Sequence, residues 1–227
     1  KLKIMENATQ IYYLITAVFI VYFLISYVFK IIKTPNVERA LLTSKGLLLI
    51  NLKHVLGIIL FGALSYLLVP KYRFLISDIE IPNFSILLSC FIIVIVSALL
   101  AFNSVKKKLI QYTDKSQYSM HQGWVYFPIR IVFLLSYEFF FRGVLFFSLL
   151  EIYGLVTAIV ITTLLYVLIH IFDSKQEIVG AIPFGVILCL FSYFTSGIWI
   201  AFIIHMTLSA VYECSMFKNL TLKTKRL

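Results

Sequence analysis

Seven long apolar runs divide the chain, near Ile11 to Ile32, Leu47 to Val69, Phe84 to Phe102, Val125 to Leu150, Leu155 to Phe172, Ile178 to Phe194 and Ile198 to Tyr212. A helix of about 20 apolar residues crosses the hydrocarbon core of a bilayer, and most of these runs reach that length. The breaks between them carry residues that end helices: Lys33-Thr34-Pro35-Asn36, Pro70-Lys71-Tyr72-Arg73, Ile81-Pro82-Asn83, the polar stretch Asn103 to Gly123, Tyr153-Gly154 and Thr195-Ser196-Gly197. Backbone polar groups in lipid must be satisfied within the spanning element itself. The pattern therefore predicts an all-α fold, a polytopic transmembrane helical bundle of about seven spans, with six to eight as the bounds. The last two runs are short, which predicts nearly upright crossings, a thinned bilayer or a water-accessible bundle interior. With no internal repeat, the chain reads as a single membrane domain over 1–227.

Composition agrees. Hydrophobic residues make up 61% of the 227 positions and charged residues only 13%, against about 25% charged in soluble domains. The net charge of +10 could point to nucleic acid, but the Lys and Arg residues cluster between the apolar runs, where they meet anionic lipid headgroups. Thirteen belong to the first, third and fifth connections and the tail: Lys30, Lys33, Arg39, Lys45, Lys106, Lys107, Lys108, Lys115, Lys175, Lys218, Lys223, Lys225 and Arg226. Four belong to the other side, Lys1, Lys3, Lys71 and Arg73. The positive-inside rule then places the N-terminus outside and the tail in the cytoplasm. The first run is long enough to read as a retained span and not a cleaved signal peptide. Cys90, Cys189 and Cys214 lack metal-ligand spacing and read as packing residues.

Within the fourth run stands Ser136-Tyr137-Glu138-Phe139-Phe140-Phe141-Arg142-Gly143. An ionisable side chain near a bilayer centre costs on the order of 2.5 to 3.5 kcal/mol, which makes it a functional candidate by default. Glu138 and Arg142 are spaced i, i+4 and can pair on one helix face. His170 ends the fifth run, and His205 lies inside the seventh with Ser209 one turn later. Polar groups from three spans tend to face one another, away from lipid. A glutamate with two histidines can activate water, directly or through a metal. Each also has a structural reading: an ion pair that fixes the bundle, a helix-end His170, and a neutral His205 bonded to backbone. His54 and His121 read as interfacial. Glu151, Asp173, Glu177 and Glu213, at run ends, read as solvated caps or surface charges. The chain contains no His-Glu-x-x-His, Gly-x-Ser-x-Gly or P-loop motif.

The three groups together resemble the CAAX-protease and bacteriocin-processing family of intramembrane proteases, the CPBP or Abi proteins. That family carries Glu-Glu-x-x-x-Arg, Phe-x-x-x-His and His-x-x-x-Asn or Asp on successive core helices. Here the first motif is Tyr137-Glu138-Phe139-Phe140-Phe141-Arg142, the second runs from Tyr166 to His170, and the third from His205 to Ser209. Order and spacing match over roughly 125–212, the expected CPBP-like core.

The resemblance implies an intramembrane endopeptidase of glutamate or metallo type, acting on a membrane-associated protein or peptide in CAAX-type processing, peptide maturation or bacteriocin self-immunity. His170 with Glu138 would activate water, His205 and Ser209 would stabilise the oxyanion, and Arg142 would orient Glu138. The cofactor is left open; a divalent metal such as zinc would fall to His170, His205 and Glu138. Partners implied are membrane lipids and a membrane-associated substrate, with no nucleic acid. One departure bears on activity. The family's first glutamate, the expected base, is Tyr137, and a phenol with a pKa near ~10 cannot replace it at neutral pH. A catalytically degenerate scaffold or regulator of a partner protein is the alternative, and a small-solute or ion transporter the second.

Overall fold

A computed structural model describes residues 2–110, 116 and 118–225, with side chains described between 9 and 221 of these; Lys1, Lys115 and Arg226 of the charge count lie outside the described residues. Every regular element among the described residues is helical. Apart from single turns, in chain order they are α1 (Leu2–Ile31), the short α2 (Val37–Leu42), α3 (Gly46–Leu68), α4 (Phe84–Leu109), α5 (123–153), α6 (155–169), α7 (Lys175–Thr195) and α8 (Trp199–Lys225).

Six stretches are long and apolar enough to cross a membrane, and the longest, Met120–Phe172, has 53 residues. A straight helix of that length would measure about 80 Å at ~1.5 Å per residue, far beyond any bilayer. Gly154 breaks it with φ +75° and ψ 175°, a conformation that the missing Cβ makes accessible. Beyond it the chain folds back, for the Tyr166 ring lies 5.8 Å from that of Tyr137 and 5.9 Å from that of Phe141. Among the described residues the chain thus traverses the bundle seven times, as α1 and α3 to α8.

Contacts at the helix ends sort the connections onto two sides. On one, Lys108 at the end of α4 meets Glu38 of α2, Glu177 at the start of α7 and Tyr212 of α8, at 2.6, 2.6 and 2.7 Å. There too, Lys30 Nζ donates to the Phe172 carbonyl. On the other, Lys71 and Tyr72 reach Glu151, and the Trp199 indole donates to the Ile76 carbonyl. Odd and even connections segregate as seven alternating crossings require.

The expectation of two short final crossings is overturned. α7 has 21 residues and α8 has 27. The apolar run ended at Tyr212 because Glu213 follows, but Glu213 is 6% exposed and turned inward, so the helix continues through it.

Apolar side chains gain little by leaving lipid, so tight packing and internal hydrogen bonds hold such a bundle together. α3 and α5 approach closely where Gly57 faces Phe133 and Gly62 faces Ser136; a Cβ on Gly62 would stand 2.5 Å from the Ser136 hydroxyl. Both helices widen there into π-helical segments, Ile58–Leu64 and Phe139–Leu145, packed on one another. Fully buried Phe61 fills the joint, its ring 4.5 Å from Tyr22 and 4.7 Å from Phe140. Such π segments recur at functional sites, since the extra residue per turn re-aims neighbouring side chains.

Candidate active site

Glu138 ends the α-helical part of α5, and the π segment that begins at Phe139 carries Arg142. Both side chains are fully buried, and Arg142 Nε lies 3.4 Å from Glu138 Oε2. That is a long ion pair, and its geometry forms no hydrogen bond. The guanidinium instead lies over the Tyr166 ring, 4.3 Å from its centroid, a cation–π placement that gains strength when desolvated.

The other carboxylate oxygen, Oε1, is 2.5 Å from Nδ1 of His205 on α8. One buried carboxylate is thus held between a guanidinium and an imidazole, and the guanidinium compensates its charge. His170 lies close enough for its charge to act on Glu138 as well. Its ring stands edge-on to Tyr166 at 4.9 Å, and Tyr166 is 6.2 Å from His205. His170 Nδ1 is 2.9 Å from Asp173 Oδ2, and its Nε2 is buried with no hydrogen-bond partner among the described residues. Glu138, Arg142, Tyr166, His170 and His205 therefore converge from α5, α6 and α8.

Tyr137 joins them. Its ring is packed against Phe61, Phe133, Phe141, Tyr166 and His205, the last at 5.9 Å. Its hydroxyl is buried without a partner among the described residues. Positions 137 and 138 both present their side chains to His205, although neighbours on a helix diverge by about 100°. The imidazole lies between them.

Ser209 is placed elsewhere. Its hydroxyl donates to Glu213 Oε1 (2.8 Å) and accepts from Arg130 Nη2 (3.1 Å). Arg130 Nε donates to Glu213 Oε1 and the Tyr126 hydroxyl to Glu213 Oε2, at 2.9 and 2.8 Å. His54, 4% exposed, stacks on Phe133 and brings Nε2 within 3.5 Å of Arg130 Nη1. This second buried polar cluster corrects two expectations: Glu213 is no surface charge, and His54 is not interfacial. Both are interior partners of Arg130. An arginine inside the apolar run of α5 is the same kind of signal as Glu138, although it belongs to none of the three motifs. Asp173 is likewise no solvated cap, with 18% of its side chain exposed and His170 as its partner. Glu151 and His121 are exposed as expected, and Glu177 sits in the first turn of α7 against Lys108.

The site does not fit a divalent metal. Structural and catalytic zinc ions take about three or four protein ligands, and no group of three His, Cys, Asp or Glu side chains among the described residues could hold an ion. Glu138 is engaged by His205 and Arg142 and position 137 offers a phenol, so two imidazole nitrogens remain with no third ligand beside them among the described residues.

Compared with known proteins, residues 119–211 match the family model described as type II CAAX prenyl endopeptidase Rce1-like. The match covers all three motifs and agrees with the resemblance to CPBP membrane proteases. No curated protein and no solved structure matches the chain. The apolar helices indicate an integral membrane protein, and its 119–211 core is similar to the CAAX-protease-like type.

Proposed function

We propose that this chain is an intramembrane endopeptidase that hydrolyses a peptide bond in a membrane-associated protein or peptide, in the manner of the type II CAAX endopeptidases its core matches. The observation that carries the reading is the convergence of the Glu138–His205 pair with an unpartnered His170 Nε2 inside one bundle. Two basic nitrogens and a carboxylate are what water activation and oxyanion stabilisation require.

In this reading His170 Nε2 takes a proton from water as the water oxygen bonds to the scissile carbonyl carbon. The carbonyl π electrons move onto oxygen, and that oxyanion is met by the Nε2–H of His205 in its doubly protonated form, a charge that Glu138 at Nδ1 favours and burial opposes. The C–N bond then breaks, and the amine leaves with the proton that His170 had taken. Arg142 holds Glu138 in place from the far side. Ser209, bonded to Glu213 and Arg130, is left to support α8. The N-terminus is placed outside a bacterial cytoplasmic membrane and the basic connections inside, so that His170 lies toward the cytoplasmic face.

Reconstitution into liposomes with a prenylated peptide ending in a CAAX sequence tests the reading. Cleavage that disappears in both His170→Ala and His205→Ala proteins of unchanged thermal stability supports it, and absence of cleavage by the intact chain overturns it. One observation favours the degenerate alternative: the Tyr137 ring, packed against five aromatic neighbours, takes the place of the family's first carboxylate. A scaffold or regulator would keep its cellular function with both histidines replaced.

A further inference from the structure

The family's first glutamate is missing, yet His170 does not lack a carboxylate. α6 ends in a 3₁₀ turn, His170–Phe172, and Asp173 follows it with its N–H on the His170 carbonyl at 2.9 Å. In a 3₁₀ turn residues i and i+3 eclipse one another, whereas in an α-helix they are offset. The turn therefore brings the Asp173 carboxylate to the Nδ1 edge of the His170 ring, Oδ2 to Nδ1 2.9 Å. The turn is anchored to α1 by the Lys30 ammonium on the Phe172 carbonyl and by Phe172 against Phe23 and Tyr27.

We propose that Asp173 is a positioning residue for His170: it accepts the Nδ1 proton and thereby aims the Nε2 lone pair into the buried site beside Tyr166 and Glu138, making an Asp–His dyad the base in place of the absent glutamate. The idea rests on the peptidase reading for its catalytic meaning, but the geometry stands without it. Which ring nitrogen of a histidine carries the proton is set by the hydrogen bond the other one makes. Here Nδ1 has a carboxylate and Nε2 has no partner among the described residues, so a neutral ring is a base at Nε2. The acceptor stays ionised as well. Burial alone would push the Asp173 carboxyl up, but the His170 hydrogen bond and the Lys53 and Arg130 charges hold it below the usual carboxylate range. Lys53 of α3 and Arg130 of α5 are the other cations near it, and Glu138 is a second carboxylate near the His170 ring.

The test reads the tautomer and the kinetics separately. In protein labelled with ¹⁵N-histidine in lipid nanodiscs, above the range in which imidazole titrates, His170 signals are assigned by their loss in His170→Gln. They should show the proton on Nδ1. In Asp173→Ala the proton should move to Nε2, and in Asp173→Asn, which keeps the shape and an acceptor oxygen, it should stay on Nδ1. With a cleavable prenylated peptide, both variants should lower kcat by about tenfold or more with KM nearly unchanged, the size of effect that loss of an orienting carboxylate has at histidine ligands. A wild-type His170 protonated on Nε2, or an Asp173→Ala protein with unaltered tautomer and kcat, overturns the inference. A wild-type protein that cleaves nothing removes the peptidase reading, while the tautomer shift still decides whether Asp173 positions His170.

Discussion

Glu138 Oε1 stands 2.5 Å from His205 Nδ1 across 67 positions of chain, with Arg142 on the opposite side of the same carboxylate. Neither partner is on the surface: Glu138 is fully buried and His205 is 7% exposed. The pair joins α5 to α8 at the centre of the bundle.

Removing the charge from Glu138 leaves Arg142 buried without a counter-ion. Breaking a buried pair on one side costs about 3 to 5 kcal/mol, so Glu138→Gln should unfold at clearly lower temperature in detergent micelles. Glu138→Gln combined with Arg142→Met should recover much of that loss, because the stranded charge has gone. Equal melting of all three proteins would mean that the pair does not hold the bundle.

Tyr137 allows a sharper separation. Its hydroxyl is buried and bonded to nothing described, and an unsatisfied buried hydroxyl costs about 1 to 3 kcal/mol. Tyr137→Phe should therefore be as stable as the natural chain or more so, as thermal melts would record. Tyr137→Glu should place a carboxylate toward His205 and raise peptide cleavage, measured on the reconstituted protein. A destabilised Tyr137→Phe would contradict the packing described above.

Glu213 is the hub of the second cluster, accepting from Arg130, Tyr126 and Ser209. Glu213→Ala should cost up to about 3 kcal/mol by leaving the half-buried Arg130 without its counter-ion. Ser209→Ala should cost only about 1 kcal/mol, one ordinary hydrogen bond. The kinetic counterpart is that Ser209→Ala keeps kcat within about threefold, since an oxyanion-hole donor would be worth ~10² or more. A hundredfold loss of cleavage with intact folding would return Ser209 to the oxyanion.

Seven crossings place the Lys71 and Lys175 ends on opposite faces. In a chain with Cys90, Cys189 and Cys214 replaced by alanine, Lys71→Cys and Lys175→Cys should react with a membrane-impermeant maleimide from opposite sides of sealed vesicles. Both positions are exposed at helix ends. Labelling of both from one side would mean that the chain does not reverse at Gly154.

Much of the site was legible because its signal is local. Glu138 and Arg142 stand out as charges in an apolar run, and spacing alone ties Tyr166 to His170 and His205 to Ser209. What misled was also local. Glu213 and Asp173 border apolar runs, and position along the chain does not say whether a carboxylate at a helix end turns toward solvent or toward a partner on another helix. Arg130 turns Glu213 inward, and a 3₁₀ turn brings Asp173 to the Nδ1 edge of His170. Both depend on where other elements sit.

Hydropathy and punctuation alone determined an all-helical membrane bundle of about seven crossings and the three polar stations on its last four helices, because lipid forbids exposed backbone and penalises isolated charge. Only the tertiary structure decided which partners those stations have. It set Glu138 against His205, gave Ser209 to Arg130 and Glu213, and gave His170 its own carboxylate, because hydrogen bonds between helices depend on rotation and depth, which a one-dimensional pattern of apolar and polar residues does not specify.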